Sequence, residues 1–225
     1  MKILFIGNSL TYYNDMPEVI FSAIAKACGK EAEVTSITKG GYHLYQFADE
    51  NNEYGAKVKS AFENNKYDIV IIQEYGRYPI TEPRLFQDAV RKLYKMITAN
   101  GAQTYLYEPC ALSDGHPELI KFGKDMPEME MKLRAAYADM GKELDIPVCY
   151  AGAAISYASE NSDVRLYKDD KLHPDLCGST IAALTIFSKI FGIDPANIDV
   201  SIENVSDSDM IELKKAASYI YKGNF

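Results

Sequence analysis

The sequence predicts a three-layer α/β/α sandwich, with helices on both faces of a five-stranded parallel sheet. Short β-favouring runs alternate with amphipathic helical patterns along the chain, and the connections between them are short. The run over residues 67–72 is apolar at successive positions, which is typical of a strand buried on both faces of a parallel sheet. Because no repeat, low-complexity tract or linker interrupts the alternation, we expect one domain over residues 1–225.

The predicted elements follow one another in a regular order. The strands are expected at residues 2–6, 32–37, 67–72, 103–107 and 147–150. Helical periodicity predicts helices at residues 15–28, 54–64, 84–99, 127–144, 175–191 and 207–221. The first helix has a start signature, with Asp15 as N-cap, Pro17 in the first turn and Glu18 completing a capping box. Pro174 opens the helix at 175–191, and Gly192 ends it.

The composition excludes several classes of protein. The 24 basic and 32 acidic residues give a formal net charge of -8, which argues against a general nucleic-acid-binding protein. No apolar stretch approaches the ~18–20 residues that span a bilayer, and the apolar start is too short for a signal peptide. The four cysteines are widely spaced, without a metal or redox motif. We therefore expect a cytoplasmic protein with reduced thiols and no membrane association.

No cofactor is expected from the motifs. The three histidines are far apart in the sequence, and no His-x-x-x-His or calcium-loop pattern occurs. Neither GxxxxGK[ST] nor GxGxxG is present, so the sequence contains no phosphate-binding loop of either kind. The expected partner is a small-molecule substrate.

Ser9 is the first candidate for chemistry, because ligands of open α/β sheets bind beyond the carboxyl ends of the strands. It follows the first strand directly, behind Gly7 and Asn8. A serine there is either a helix cap or a nucleophile on a sharp turn. The capping role is weakened, because Asp15 and Glu18 already supply a capping box for the next helix.

His173 is the histidine best placed to act as a base. A carboxylate lies three residues before it, and on a tight turn Asp170 can reach the ring Nδ1–H. The ring would then be held in the tautomer that leaves Nε2 free. Asp169 is the rival carboxylate. The alternative without chemistry is a polar helix start, with Pro174 at the first helical position.

Two further segments could support the site. Gly40 and Gly41 follow the second strand and are either a turn that needs positive φ or a source of a backbone N–H for an oxyanion. Gln73 follows the third strand, and its amide is either an oxyanion donor or an ordinary sheet-end group. Glu74 must point away from an oxyanion or serve another purpose. Arg77 either binds an anionic substrate group or belongs to a surface ion pair.

Tyrosines are frequent near the predicted strand ends, where they either line a pocket for sugars or acyl groups or are ordinary half-buried residues. The candidate pocket residues are Asn8, Tyr12, Tyr42, Glu74 and Tyr75.

Taken together, Ser9, Gly41, Gln73, Asp170 and His173 resemble the SGNH (GDSL-type) hydrolase superfamily in residue type and order. The resemblance covers about residues 2–192 and is to a divergent branch.

Of the three short sequence motifs (blocks) that can be compared with the family, two match and one differs. Residues 7–10 are Gly-Asn-Ser-Leu, where the family often shows Gly-Asp-Ser-Leu, and residues 170–174 fit its Asp-x-x-His block. Residues 73–76 are Gln-Glu-Tyr-Gly, where the family usually shows Gly-x-Asn-Asp with an oxyanion-donating Asn.

The resemblance implies a flavodoxin-like strand order, 2-1-3-4-5, and a serine esterase that acts through an acyl-enzyme. The substrate would be a small acyl ester, such as an O-acetylated carbohydrate. Ser9 would be the nucleophile, His173 the base and Asp170 its orienting carboxylate. The N–H groups of Ser9 and Gly41, with the Gln73 amide, would form the oxyanion hole.

Two other functions are compatible with the same architecture. The departing third block motivates a binding module that kept the fold and lost efficient catalysis. A flavodoxin-type flavin protein is disfavoured, because residues 8–12 lack the Thr-Gly-x-Thr pattern that holds a flavin phosphate. The natural substrate and the oligomeric state are open at this point.

Overall fold

A five-stranded parallel sheet forms the centre of the computed structural model, which describes residues 1–224. The strands are β1 (Lys2–Gly7), β2 (Glu33–Thr38), β3 (Ile69–Ile72), β4 (Gln103–Glu108) and β5 (Val148–Tyr150). They pair in the order β2-β1-β3-β4-β5, and each pair is parallel. The predicted fold class and the strand order 2-1-3-4-5 are confirmed.

The helices cover both faces of this sheet. They are α1 (Ser9–Tyr12), α2 (Ser22–Ala27), α3 (Leu44–Ala48), α4 (Glu53–Asn64), α5 (Tyr78–Thr81), α6 (Pro83–Asn100), α7 (Met126–Leu144), α8 (Ala151–Asn161), α9 (Leu176–Phe191) and α10 (Asp207–Tyr221). Short 3-10 turns lie at Tyr13–Asp15, Leu119–Lys121 and Pro195–Asn197, and a π-helical turn at Met16–Phe21. The predicted strands, and the predicted helices from residue 54 onward, begin and end within two residues of the observed bounds, whereas the helix predicted at residues 15–28 is divided into the π-helical turn and α2.

Alternation along the strands divides the core into two layers. Ile3 and Phe5 of β1 pack on one face, together with apolar residues of α2, α8, α9 and α10. Leu4 and Ile6 face the other way and pack with residues of α3, α4 and α6. All four residues of β3 are buried. Successive side chains of a strand point to opposite faces, so a central strand with helices on both sides has an unbroken apolar sequence.

Two predicted helix starts are wrong in detail. Asp15 has a left-handed backbone (φ 50°) and makes no side-chain cap, so no capping box forms with Glu18. Asn14 before it is also left-handed (φ 58°), and the reversed chain enters a π-helical turn. Pro174 does not open α9, because Asp175 is the N-cap and its side chain accepts the N–H of Leu176.

Helices α1, α3, α5 and α8 are absent from the sequence prediction. The longest of them, α8, begins directly after β5 without a side-chain cap of its own. The buried Glu108 carboxylate at the end of β4 accepts the N–H of Ala153 at 3.2 Å and so satisfies a donor in the first turn of α8. Because this acceptor lies 45 residues away in the sequence, a local pattern could not indicate the helix start.

Candidate active site

Ser9, His173 and Asp170 form one hydrogen-bonded chain just beyond the carboxyl end of β1. The Ser9 Oγ atom lies 2.9 Å from Nε2 of His173. On the other side of the ring, Nδ1 lies 2.7 Å from Asp170 Oδ2. The structure therefore brings together the three residues for which the sequence predicts catalytic roles, in the order hydroxyl, imidazole, carboxylate.

Asn8 frees the Ser9 hydroxyl from any capping role. Asn8 is the N-cap of α1, and its Oδ1 accepts the N–H of Leu10 at 3.2 Å. Its Nδ2 donates to the Tyr42 carbonyl at 3.0 Å, which ties the loop after β1 to the loop after β2. Ser9 itself begins α1, so its side chain is available to His173.

Gly7 allows the close packing behind this turn. A Cβ atom at Gly7 would lie 2.5 Å from Thr11 Oγ1 and 2.7 Å from Gln73 Oε1, so these hydrogen-bonded side chains would have to move to admit it. The glycine is required for this close approach of three segments and not for a positive φ.

A tight turn holds His173 and Asp170 in place. Asp170 Oδ1 accepts the backbone N–H groups of Leu172 at 3.0 Å and His173 at 2.9 Å. Lys171 between them has a left-handed backbone with φ 57°. The ring of Tyr13 packs on the imidazole, with ring centroids 4.3 Å apart. The turn and the stacked ring together limit the positions open to the imidazole.

The carboxyl of Asp170 is held in its charged form. Partial burial opposes ionisation, but hydrogen bonds from the His173 ring and from the backbone N–H groups of His173 and Leu172 outweigh it, and the pKa falls to about 2. A charged carboxylate at neutral pH favours Nδ1–H on the ring, which leaves Nε2 as the basic nitrogen.

Asp169 does not take part in this chain. Its side chain is 98% exposed and pairs with the guanidinium of Arg165 at 3.0 Å. The geometry therefore selects Asp170 over its neighbour as the partner of His173.

The N–H groups of Ser9 and Gly41 are candidates for an oxyanion hole. Gly41 has φ 74° and lines the same cavity as Ser9 and His173, whereas Gly40 does not line it. Among the described residues, neither of these two N–H groups has a protein acceptor. Both donors are thus available to a ligand in the cavity.

Gln73 does not have the position that the sequence prediction assigned to it. Its side chain is 1% exposed, and Oε1 accepts the N–H of Asn8 at 3.0 Å and the Thr11 hydroxyl at 2.7 Å. Its Nε2 donates to the backbone carbonyl of Glu74. Because Gln73 is buried behind the loop after β1 and does not line the cavity beside Ser9, its amide is not placed to donate to an oxyanion there.

Glu74 points away from the cavity and joins two loops. Its fully buried carboxylate accepts the N–H of Leu44 at 3.0 Å and that of Tyr75 at 2.6 Å. His43 Nδ1 lies 3.3 Å from the same carboxylate. The start of α3 therefore donates to this carboxylate, and Glu74 holds the segment just after Gly41 against the loop after β3.

A cavity of about 190 Å³ opens beside Ser9 and His173. Its apolar wall consists of Leu10, Cys110, Leu112, Met129 and Leu172, and the rest is formed by Gly41, Tyr75, Gly76 and Arg77.

Of the five predicted pocket residues, Tyr75 is the one that lines this cavity. The Tyr42 ring packs instead against Phe47, and Tyr12 stacks on Tyr13. Asn8 and Glu74 are buried behind the site.

Solved structures resemble this fold closely. A protein from Slackia heliotrinireducens, provisionally described as an SGNH hydrolase, is 28% identical, with a TM-score of 0.73 over 84% of this chain and 98% of that chain. The chain has the SGNH (GDSL-type) hydrolase fold. A DUF4886 family protein from Bacteroides uniformis shares it at 17% identity, with a TM-score of 0.82 over 100% of this chain and 96% of that one.

The acetyl xylan esterase AlAXEase has the same SGNH fold at 13% identity, with a TM-score of 0.61 over 85% of this chain and 100% of that one. No protein-family model matches the sequence, and no curated protein does.

None of the apolar wall residues of this SGNH-fold site is among the five pocket residues predicted from the sequence. Cys110 and Leu112 follow β4 directly, where the general rule for α/β sheets places ligand contacts, so their position was a usable signal. Met129 comes from α7, and only the packed fold brings it to the cavity. Burial raises the pKa of the Cys110 thiol to about 12, so this wall is uncharged at neutral pH.

Two further findings concern residues 1–224. No group of three or more His, Cys, Asp or Glu side chains is arranged there to hold a metal ion. None of the helices in this part of the chain is both long and apolar enough to cross a membrane.

Proposed function

We propose that this protein is a serine ester hydrolase that cleaves small acyl esters through an acyl-enzyme. The observation that carries the proposal is the chain of hydrogen bonds from Ser9 through His173 to Asp170, which opens on a cavity. A hydroxyl paired with an imidazole that is oriented by a carboxylate is the arrangement that activates a serine as a nucleophile.

The reaction would proceed in two halves. Ser9 Oγ attacks the ester carbonyl while His173 Nε2 takes the hydroxyl proton. The tetrahedral intermediate collapses, and His173 returns the proton to the leaving alcohol. Water then attacks the acyl-enzyme with the same nitrogen as base, which releases the acid and restores Ser9. Asp170 stabilises the imidazolium that forms in each half.

The oxyanion of each intermediate would be held by the N–H groups of Ser9 and Gly41. Because the Gln73 amide is engaged behind the site, no donor replaces the Asn of the usual third block at that position. Loss of one such donor costs about 10²–10³ in rate. We therefore expect an active enzyme that is slower than relatives with a complete oxyanion hole.

The cavity favours a short acyl group. About 190 Å³ bounded by Leu10, Leu112 and Met129 accommodates an acyl group of a few carbons. Two proteins of the same fold are described as an acetyl xylan esterase and an acetyl-xylooligosaccharide esterase, and Tyr75 offers a ring at the cavity wall. We propose an O-acetylated carbohydrate as the substrate class.

Hydrolysis of p-nitrophenyl acetate and butyrate by wild type, Ser9→Ala and His173→Ala tests the proposal. Ser60→Ala, which removes an exposed hydroxyl on α4, is the matched control. We expect turnover by wild type and Ser60→Ala, background rates for the other two variants, and similar melting temperatures for all four. Full activity of Ser9→Ala would exclude Ser9 as the nucleophile.

A binding module without turnover is the second candidate, and the engaged Gln73 amide favours it. It would be supported if wild type hydrolysed no ester of a broad panel while an acetylated xylo-oligosaccharide raised its melting temperature.

A further inference from the structure

We propose that Arg77 forms an anion subsite within the active-site cavity and that the preferred substrates are esters that also carry a carboxylate. This inference rests on the proposed ester hydrolase function and adds a charge requirement to the ester that it cleaves. Arg77 lines the same cavity as Ser9 and His173, although it comes from the loop after β3.

The guanidinium of Arg77 is held in a fixed place. It lies over the ring of Tyr75, with 5.0 Å from Cζ to the ring centroid, and 6.0 Å from the centroid of Phe122. The side chain is 27% exposed, so it is neither free in solvent nor deeply buried. A guanidinium fixed on aromatic rings loses little side-chain entropy when it binds a planar carboxylate.

The charges around Arg77 are not fully neutralised by neighbouring carboxylates. Arg77 Nη1 lies 3.2 Å from Glu118, but Lys121 binds the same carboxylate at 2.7 Å. The hydrogen bond from Lys121 and the charges of Arg77 and Lys121 lower the pKa of Glu118, so that carboxylate is ionised at neutral pH. Two cations therefore share one anion, and one positive charge is left over. A guanidinium has five N–H donors, and a single contact with Glu118 does not use them all.

The other described residues that line the cavity provide no second permanent positive charge for a substrate carboxylate. Among the described lining residues, Arg77 is the one that carries a permanent charge, and burial raises the pKa of the Cys110 thiol to about 12, so that thiol is uncharged at neutral pH. A substrate carboxylate in this apolar cavity would thus be drawn to Arg77. Charge-assisted hydrogen bonds of this kind are about twice as strong as neutral ones.

The carboxylate could belong to the acyl part or to the alcohol part of the ester. Two matched pairs of esters distinguish these sources. Monoethyl succinate is compared with ethyl butyrate for the acyl side, and acetoxyacetate with propyl acetate for the alcohol side. Acid release is followed at constant neutral pH, so that all four esters are measured by the same method.

Substitution of Arg77 and substitution of its partner Glu118 should change the preference for anionic esters in opposite directions if Arg77 binds the substrate carboxylate. We expect Arg77→Gln to lower the ratio of kcat/KM for the anionic ester to that for its neutral partner by about 10- to 100-fold. Glu118→Gln should raise this ratio, because it removes the carboxylate that competes for Arg77. Arg91→Gln, which breaks an ion pair with Glu143 outside the cavity, is the control and should leave the ratio unchanged.

A second measurement tests the subsite without turnover. Succinate should raise the melting temperature of wild type and of Arg91→Gln but not of Arg77→Gln. Equal ratios in wild type and Arg77→Gln, or a melting temperature that succinate leaves unchanged, would overturn the subsite. If no ester is hydrolysed while succinate stabilises wild type through Arg77, the proposed esterase function fails and the anion subsite stands.

Discussion

The imidazole of His173 lies within hydrogen-bond distance of Ser9, although 164 residues separate them in the sequence. Asn14 stands between the two loops that carry these residues. Its side-chain amide donates to the Pro174 carbonyl at 3.3 Å and to Ser179 Oγ at 2.8 Å. The loop after β1 is thus fixed to the start of α9, next to His173.

Replacement of Asn14 by Ala should lower both activity and stability. The change removes both hydrogen bonds and places Ala in a left-handed backbone that Asn tolerates better. We expect the free energy of unfolding to fall by about 1–3 kcal/mol and kcat to fall as the Ser9–His173 distance becomes less well defined. Urea unfolding and ester kinetics check this, and a variant that loses stability while it keeps kcat would show that Asn14 does not position the pair.

Gly41→Ala should lower kcat by more than its small loss of unfolding free energy can explain. Gly41 has φ 74°, and no atom of a neighbouring residue lies within 4 Å of the place that a Cβ would take, so Ala is strained by the backbone conformation and meets no clash. A shift of this backbone would misplace one oxyanion donor, and loss of a donor lowers kcat by about 10²–10³.

Gly29→Ala is the matched control for this substitution. Gly29 has φ 66°, is equally open and lies at the end of α2, outside the cavity. Both variants should lose a similar free energy of unfolding, of about 1 kcal/mol. If Gly29→Ala lost as much kcat as Gly41→Ala, strain alone would explain the effect and the oxyanion role of Gly41 would be wrong.

Asp170 should make stability depend on pH in the acid range. Folding lowers the pKa of its carboxyl from 3.8 to about 2, so the unfolded chain binds a proton more readily. The stabilisation is complete above pH 3.8 and is lost as the pH falls toward 2. Wild type should therefore lose more stability over this range than Asp170→Asn. Parallel pH dependence of unfolding in the two proteins would contradict the assignment.

The sequence predicts the sheet and the Asp170–His173 pair because both are encoded locally. Apolar runs of four residues identify β1 and β3, and a turn of four residues places Asp170 beside the His173 ring. Ser9 was assigned to the same site through the resemblance of residues 7–10 and 170–174 to the SGNH (GDSL-type) hydrolases.

The direction of individual side chains could not be predicted in the same way. The Gln73 amide turns toward Asn8 and Thr11 because a buried N–H and a buried hydroxyl there require an acceptor, and only the folded packing supplies this requirement. The Glu74 carboxylate likewise turns to the N–H of Leu44, 30 residues away. Residue type indicated the end of the sheet at which these groups lie but not what they bind.

Labelling with diethyl p-nitrophenyl phosphate tests the central claim, that Ser9 is a nucleophile activated by His173, most directly. The phosphorus is attacked by an activated serine, and the product stays on the protein, so mass spectrometry of peptides locates it without knowledge of the natural substrate. We predict one diethylphosphoryl group on Ser9 of wild type, much slower labelling of His173→Ala and none of Ser9→Ala. Labelling of another residue at the same rate in wild type and Ser9→Ala would contradict the account.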